Sequence, residues 1–148
     1  PFGLHDIVNT ILDWAEKKGS HEIVILDGVA SKTHDGKAFC AAEEDLCRVM
    51  ESNDINMIPQ GFITGVAGGL LNECLMRPIQ GITLLVKAND KGADPLAAAT
   101  LLDAVNRAYG LNINTSDLRK KKKRIGEDFR ELSDKYTEHR KIDSNMYM

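Results

Sequence analysis

The sequence has no C-x-x-C pair, no long apolar run and no P-loop, and each absence removes a class of function. Cys40, Cys47 and Cys74 are odd in number and widely spaced, which suits reduced thiols in a reducing compartment better than a disulfide framework. Apolar runs such as IVIL (23–26) and ITLLV (82–86) fall far short of the roughly 20 residues that span a bilayer, and no signal peptide is visible. A soluble, cytoplasmic protein without membrane contact is expected. His5, His21, His34 and His139 are scattered, with no spacing that suggests a metal site. No Lys-Ser/Thr follows the glycines of GVAGG (65–69), so that turn is not a P-loop. No local feature activates a cysteine, so neither catalysis nor a cofactor is assigned, and the three thiols read as small buried residues.

What is present fits one globular domain: 148 residues with 43% hydrophobic content can fill a single core. The chain opens on Pro1 rather than Met and enters a helical pattern almost at once, so it reads as a piece of a longer protein. The net charge of −3 hides an asymmetry. Residues 1–116 carry 9 basic against 15 acidic side chains, and residues 117–148 carry 10 against 7. The division is therefore 1–116 as an α/β core that lacks its N-terminal part, and 117–148 as a helical arm with a tail.

Within the core, Ile7, Val8, Ile11, Leu12 and Ala15 recur at helical spacing, with Gly19 as the stop. EIVILDG (22–28) is β-branched and continuously apolar, the pattern of a strand covered on both faces inside a sheet. KAFCAA (37–42) reads as a strand, and EEDLCRVMES (43–52) as a short helix with Leu46, Val49 and Met50 inward. INMIPQGFIT (55–64) reads as extended, the segment from Gly65 as a glycine-rich helix, and GITLLVKAN (81–89) as a second doubly covered strand. Asp94-Pro95 opens the next helix, since Asp accepts orphan N–H groups and Pro at the first position loses no bond. Leu101, Ala104, Val105 and Ala108 face inward along it, and Gly110 closes it. Strands alternating with helices predict a three-layer α/β/α sandwich with a mostly parallel sheet.

From about Asp117 to Lys141, Leu118, Ile125, Phe129, Leu132 and Tyr136 repeat at heptad spacing. The stripe is narrow, with Lys122 and His139 at seam positions and Gly126 weakening the helix, so this is an oligomerisation arm rather than a core helix. Lys123–Glu127, Arg124–Asp128 and Glu131–Lys135 support it as four-residue pairs. The run RKKKKR (119–124) sits in its first turns, where cations oppose the helix dipole. A solvated face, an acidic neighbouring subunit or partner, and nucleic acid are the three readings of that run, and no aromatic interleaves it.

The stretch GFITGVAGGLLNE (61–73) resembles the core motif of the archaeal proteasome assembly chaperone family through Gly61, Ile63, Thr64, Gly65, Gly68, Leu71 and Glu73. DPLAAATLL (94–102) and GLNINTSDL (110–118) are similar to its next two landmarks. The resemblance covers roughly residues 7–118 and implies a sandwich similar to that of purine nucleoside phosphorylases. The family's opening strands and helix are absent, and KANDKG (87–92) replaces an acidic, aromatic loop. The resemblance also gives the ending Met146-Tyr147-Met148 a meaning. It fits the hydrophobic-Tyr-any motif by which proteasome activators and some of these chaperones dock on 20S α subunits. What it implies is a non-enzymatic assembly chaperone or activator-like protein, working as a homo-oligomer (dimer, trimer or tetramer). The alternative is a phosphorylase-like or nucleotide-binding enzyme that uses Gly61, Gly65, Gly68 and Gly69 as an anion-binding turn. The bland reading of those glycines is a tight turn and close helix–sheet packing.

Overall fold

The structure, a computed structural model, describes residues 3–90 and 92–121. Helix α1 (Leu4–Lys17) buries Val8, Leu12 and Ala15 along one stripe and ends at Gly19, whose φ of 75° suits glycine. Strand β1 (Glu22–Ala30), strand β2 (Ala38–Ala41), helix α2 (Glu44–Glu51), strand β3 (Asn56–Met57), helix α3 (Gly65–Cys74), strand β4 (Gln80–Ala88) and helix α4 (Pro95–Tyr109) follow.

The four strands form one sheet in the order β1-β4-β2-β3. β1 runs parallel to β4 from Glu22↔Gln80 to Ala30↔Ala88, and β3 runs parallel to β2. β2 is antiparallel to β4, from Ala38↔Val86 to Ala41↔Thr83. The reversal follows from the connection. Residues 31–37 form a short loop over the C-terminal end of β4, with no helix to carry the chain back for a parallel entry.

β4 lies between two cores, one on each face of the sheet. Ile82, Leu84 and Val86 pack with Cys47 and Met50 of α2 and Ala97 and Ala104 of α4. On the opposite face, Val8, Leu12 and Ala15 of α1 pack with Leu70 and Cys74 of α3, Ile79, and the β1 residues Ile23 and Ile25. The result is the expected three-layer α/β/α sandwich with a mostly parallel sheet.

Two expectations need correction. β1 does not lie inside the sheet. Among the described residues it is an edge strand, with Leu26 45% and Val29 47% exposed. The central, doubly covered place belongs to β4, buried from Gly81 to Val86. In α2, Val49 points outward, and Cys47 and Met50 take the buried positions three residues apart. α4 matches its reading: Asp94 Oδ1 accepts from the N–H groups of Leu96 and Ala97 at 3.1 Å each, and Gly110 closes the helix at φ 62°. Among the described residues no helix is long and apolar enough to cross a membrane.

Candidate functional site

On α4, two side chains one turn apart hold the chain that follows the helix. Asn106 donates from Nδ2 to the Ile113 carbonyl and accepts the Ile113 N–H at Oδ1, both at 2.9 Å. Asp103 accepts from the Thr115 hydroxyl at 2.9 Å and pairs through its other oxygen with Arg119. Together they lace residues 111–119 onto α4. Helix resumes at 116 and continues to 121, with Leu118 partly buried.

Arg119, the first member of the basic run, is therefore engaged by its own domain. Lys120 approaches Asp117 at 3.6 Å on an exposed surface, and Lys121 is exposed. Ile125, Phe129, Leu132 and Tyr136 of the arm and Met146, Tyr147 and Met148 of the tail lie outside the described residues.

The glycine-rich turn divides its tasks. Thr64 caps α3 in an extended conformation, φ −117° and ψ 175°, without a side-chain bond. Gly65 then takes φ 68°, a conformation that costs an L-residue. A Cβ at Gly68 would lie 2.1 Å from the Ile63 carbonyl oxygen, and one at Gly69 would lie 2.8 Å from Val8 Cγ2. Those two glycines let α3 fold back on the segment that leads into it and press against α1. Gly61 is exposed, with its Cβ direction 3.3 Å from Ile58 Cδ1.

Sequence reasoning passed over Phe62, which is 99% exposed. Met57 and Val66 on either side of it in sequence are also exposed. An aromatic beside Gly61, in a stretch broken by Pro59, was the available signal.

The three cysteines are free and buried. The Cys40 thiol faces the Ile55 carbonyl at 3.8 Å, and the Cys47 thiol the Ala42 carbonyl at 3.5 Å. Burial, with Cys47 alongside, pushes Cys40 up to about 12, and burial also raises Cys74. Thiols held protonated in this way are poor nucleophiles. Among the described residues no group of three or more His, Cys, Asp or Glu could hold a metal ion.

At the C-terminal ends of β1 and β4, Lys87 reaches Asp35 of the 31–37 loop at 2.9 Å. That bond is the main reason the Asp35 carboxyl is held below its ordinary range. His34 Nδ1 accepts from the Gly36 N–H at 2.9 Å, so both residues serve to order the loop.

Helices on both faces of a mostly parallel sheet, with residues 111–119 tied back onto the last helix, define an α/β sandwich protein. The model of the PAC2 family matches residues 1–133, and the chain belongs to that family. It is 25% identical over 136 residues to an uncharacterized protein of Methanocaldococcus jannaschii, covering 92% of this chain and 57% of that one. The structure is similar to Pyrococcus furiosus PbaA, an archaeal homolog of proteasome-assembly chaperone. The TM-score is 0.86 at 24% identity, over 97% of this chain and 62% of PbaA. It is also similar to Pyrococcus furiosus PbaB, an archaeal proteasome activator, with a TM-score of 0.76 at 26% identity over 89% of this chain and 59% of PbaB. The chain thus spans about three fifths of the length of these relatives.

Proposed function

We propose that this protein binds the α-ring of the 20S proteasome through Met146, Tyr147 and Met148, as an assembly chaperone or activator-like protein in the cytoplasm. The observation that carries the reading is membership of the PAC2 family together with likeness to a relative described as an archaeal proteasome activator. The lacing of residues 111–119 to α4 supports it, because a docking tail transmits force and position only if the arm is fixed at its root. The chemistry of docking is carboxylate capture beside an aromatic anchor: Tyr147 offers a large apolar area and one hydroxyl at low entropic cost, and the terminal carboxylate makes charge-assisted bonds.

One short tail binds weakly. A homo-oligomer, joined through Leu118, Ile125, Phe129, Leu132 and Tyr136, presents several tails at once, which raises their effective concentration and multiplies the affinity by about a hundredfold or more. No catalytic step is needed. The packing at Gly68 and Gly69 favours a structural role for the glycine turn over anion binding. Under the anion-binding reading, phosphate or nucleotides would raise the melting temperature with ligand concentration.

The test is a pull-down of α subunits by the full chain and by a chain lacking its last three residues. Capture by the first alone supports the reading, and equal capture overturns it.

A further inference from the structure

One carboxylate brackets the first turn of the helix that begins at 116. Thr115 stands just before that helix, and the Arg119 N–H donates to the Thr115 carbonyl at 3.3 Å, the bond that closes the first turn. The side chains of the same two residues both end on Asp103 of α4. The Thr115 hydroxyl donates to Oδ1 at 2.9 Å, and the Arg119 guanidinium pairs with Oδ2. Beside them Asn114 Oδ1 accepts the Ser116 N–H at 2.9 Å, while Asn106 holds Ile113 by two bonds.

This turn is one that the segment forms poorly alone. Closing a first turn fixes several dihedrals for a single bond, so helix nucleation is unfavourable in water. Arg119 is followed by five further basic residues, Lys120 to Arg124, and cations in the first turns oppose the helix dipole. Asp117 is the only acidic residue from 115 to 124. Its contact with Lys120 is 3.6 Å long and highly exposed on both sides, a pair that contributes little. Asp103 supplies from α4 what the segment lacks: an acceptor for the residue before the helix, a negative charge near its positive end, and a counter-charge for the first cation.

We infer that Asp103 is the positioning residue of the chain that leaves α4, its carboxylate templating the first turn from 116. Order in 115–121 is then set by the sandwich, not by the basic segment itself. The consequence for docking rests on the proposed role of Met146, Tyr147 and Met148; the clasp does not. A tail that acts from an ordered root loses its hold on α subunits when the clasp is cut, although the sandwich stays intact.

Amide exchange by NMR on the full chain tests the clasp without any proteasome. Asp103→Asn keeps the shape and removes the charge. It should speed exchange at Arg119, Lys120 and Lys121 about tenfold, the scale of a lost charge-assisted bond, with α4 and β4 amides unchanged. Asp103→Glu, which keeps a carboxylate, should recover most of the protection. Thr115→Val with Arg119→Gln attacks the clasp from the other side and leaves α4 untouched. It should match Asp103→Asn, and combining all three substitutions should add nothing further. Unchanged exchange at 119–121 in Asp103→Asn would overturn the inference, as would a further loss in the triple variant. So would an equal rise along α4, which would make the effect a loss of that helix. A pull-down of α subunits then reads the consequence. Capture by the wild type and several-fold weaker capture by Asp103→Asn supports it, and equal capture despite a loosened 119–121 overturns it. No capture by the wild type would overturn the docking reading and leave the clasp standing.

Discussion

Arg77 donates from Nη1 to Asp13 Oδ1 at 2.6 Å across 64 positions of sequence, tying the end of α3 to α1. Its Nη2 donates to Asn9 Oδ1 at 2.7 Å, and its Nε lies 3.4 Å from Glu73. The side chain is only 18% exposed, and the bond to Asp13 does most to favour its charged form. One guanidinium thus fixes the spacing of the two helices over the sheet, a task its planar fork suits better than an ammonium.

Arg77→Met should therefore lower the thermal midpoint more than Asp13→Asn, because it removes the shared donor and leaves three oxygen acceptors unpaired. The double variant should lose less than the two single losses together, the signature of groups in one network. Thermal denaturation of the four proteins checks this; additive losses would mean that Asp13 and Arg77 act independently.

Gly68 and Gly65 separate steric from conformational demands. Gly68→Ala drives a methyl into the Ile63 carbonyl and should cost about 3 kcal/mol, at the upper end of ordinary overpacking. Gly65→Ala meets open space and pays only for its left-handed backbone, about 1–2 kcal/mol. Urea unfolding should rank them in that order. The reverse order would show that the α3 start relaxes freely around Ile63.

Asp94 makes stability depend on pH. Burial opposes its charge, but the N–H groups of Ala97, Asn89 and Leu96 outweigh that cost and hold the carboxyl below its ordinary value of 3.8. A carboxyl held low contributes stability above that ordinary value and loses it as pH falls through the lowered one. Asp94→Ala should cost about 1–2 kcal/mol at pH 7, the scale of a lost N-cap, and the gap from the wild type should narrow below about pH 4. Denaturant titrations at pH 7, 5 and 3 measure it. A gap that stays constant through acid would place the contribution in the shape of the side chain rather than its charge.

Much of this fold can be read along the chain because its signals are local. Asp94-Pro95 and Gly110 mark both ends of α4 by chemistry confined to a few residues, and the continuous apolar run of β4 announces a central strand. The same run in β1 misleads: apolarity reports how much burial a segment favours, and the neighbour that would supply it is not written in the segment. Nor can composition show that Arg77 meets Asn9 and Asp13, or that Asp103 holds Thr115 and Arg119, because those pairings arise only when helices pack. The arm and tail are legible as pattern alone, in heptad spacing and an apolar-Tyr-any ending.

The arm can be separated from the sandwich by substitution. On the reading of the heptad stripe as an arm outside the α/β core, Phe129→Asp with Leu132→Asp should lower the oligomer order or free the arms while the core keeps its melting cooperativity. Sedimentation and thermal denaturation together read the two effects. An unchanged assembly would remove the arm from self-association, and global unfolding would make it part of the core.

The tail prediction rests on the proposed docking of Met146, Tyr147 and Met148. If Tyr147 is the anchor, Tyr147→Ala should weaken binding to the assembled α-ring by about 2 kcal/mol per engaged tail, the scale of an interface hot spot, without changing the fold. Tyr147→Phe keeps the ring and loses one hydroxyl bond, so it should fall between, about 1 kcal/mol weaker than the wild type. Deleting Met148 shifts the carboxylate by one residue and leaves Tyr147 terminal, and extending the chain with a tag removes the carboxylate from the pocket. Both should weaken binding as Tyr147→Ala does. Surface plasmon resonance on immobilised α-rings ranks the variants, and charge reversal of Lys121 and Lys122 serves as the control for general electrostatic attraction. Affinity that follows the lysines and ignores Tyr147 would transfer the binding from the tail to the basic run.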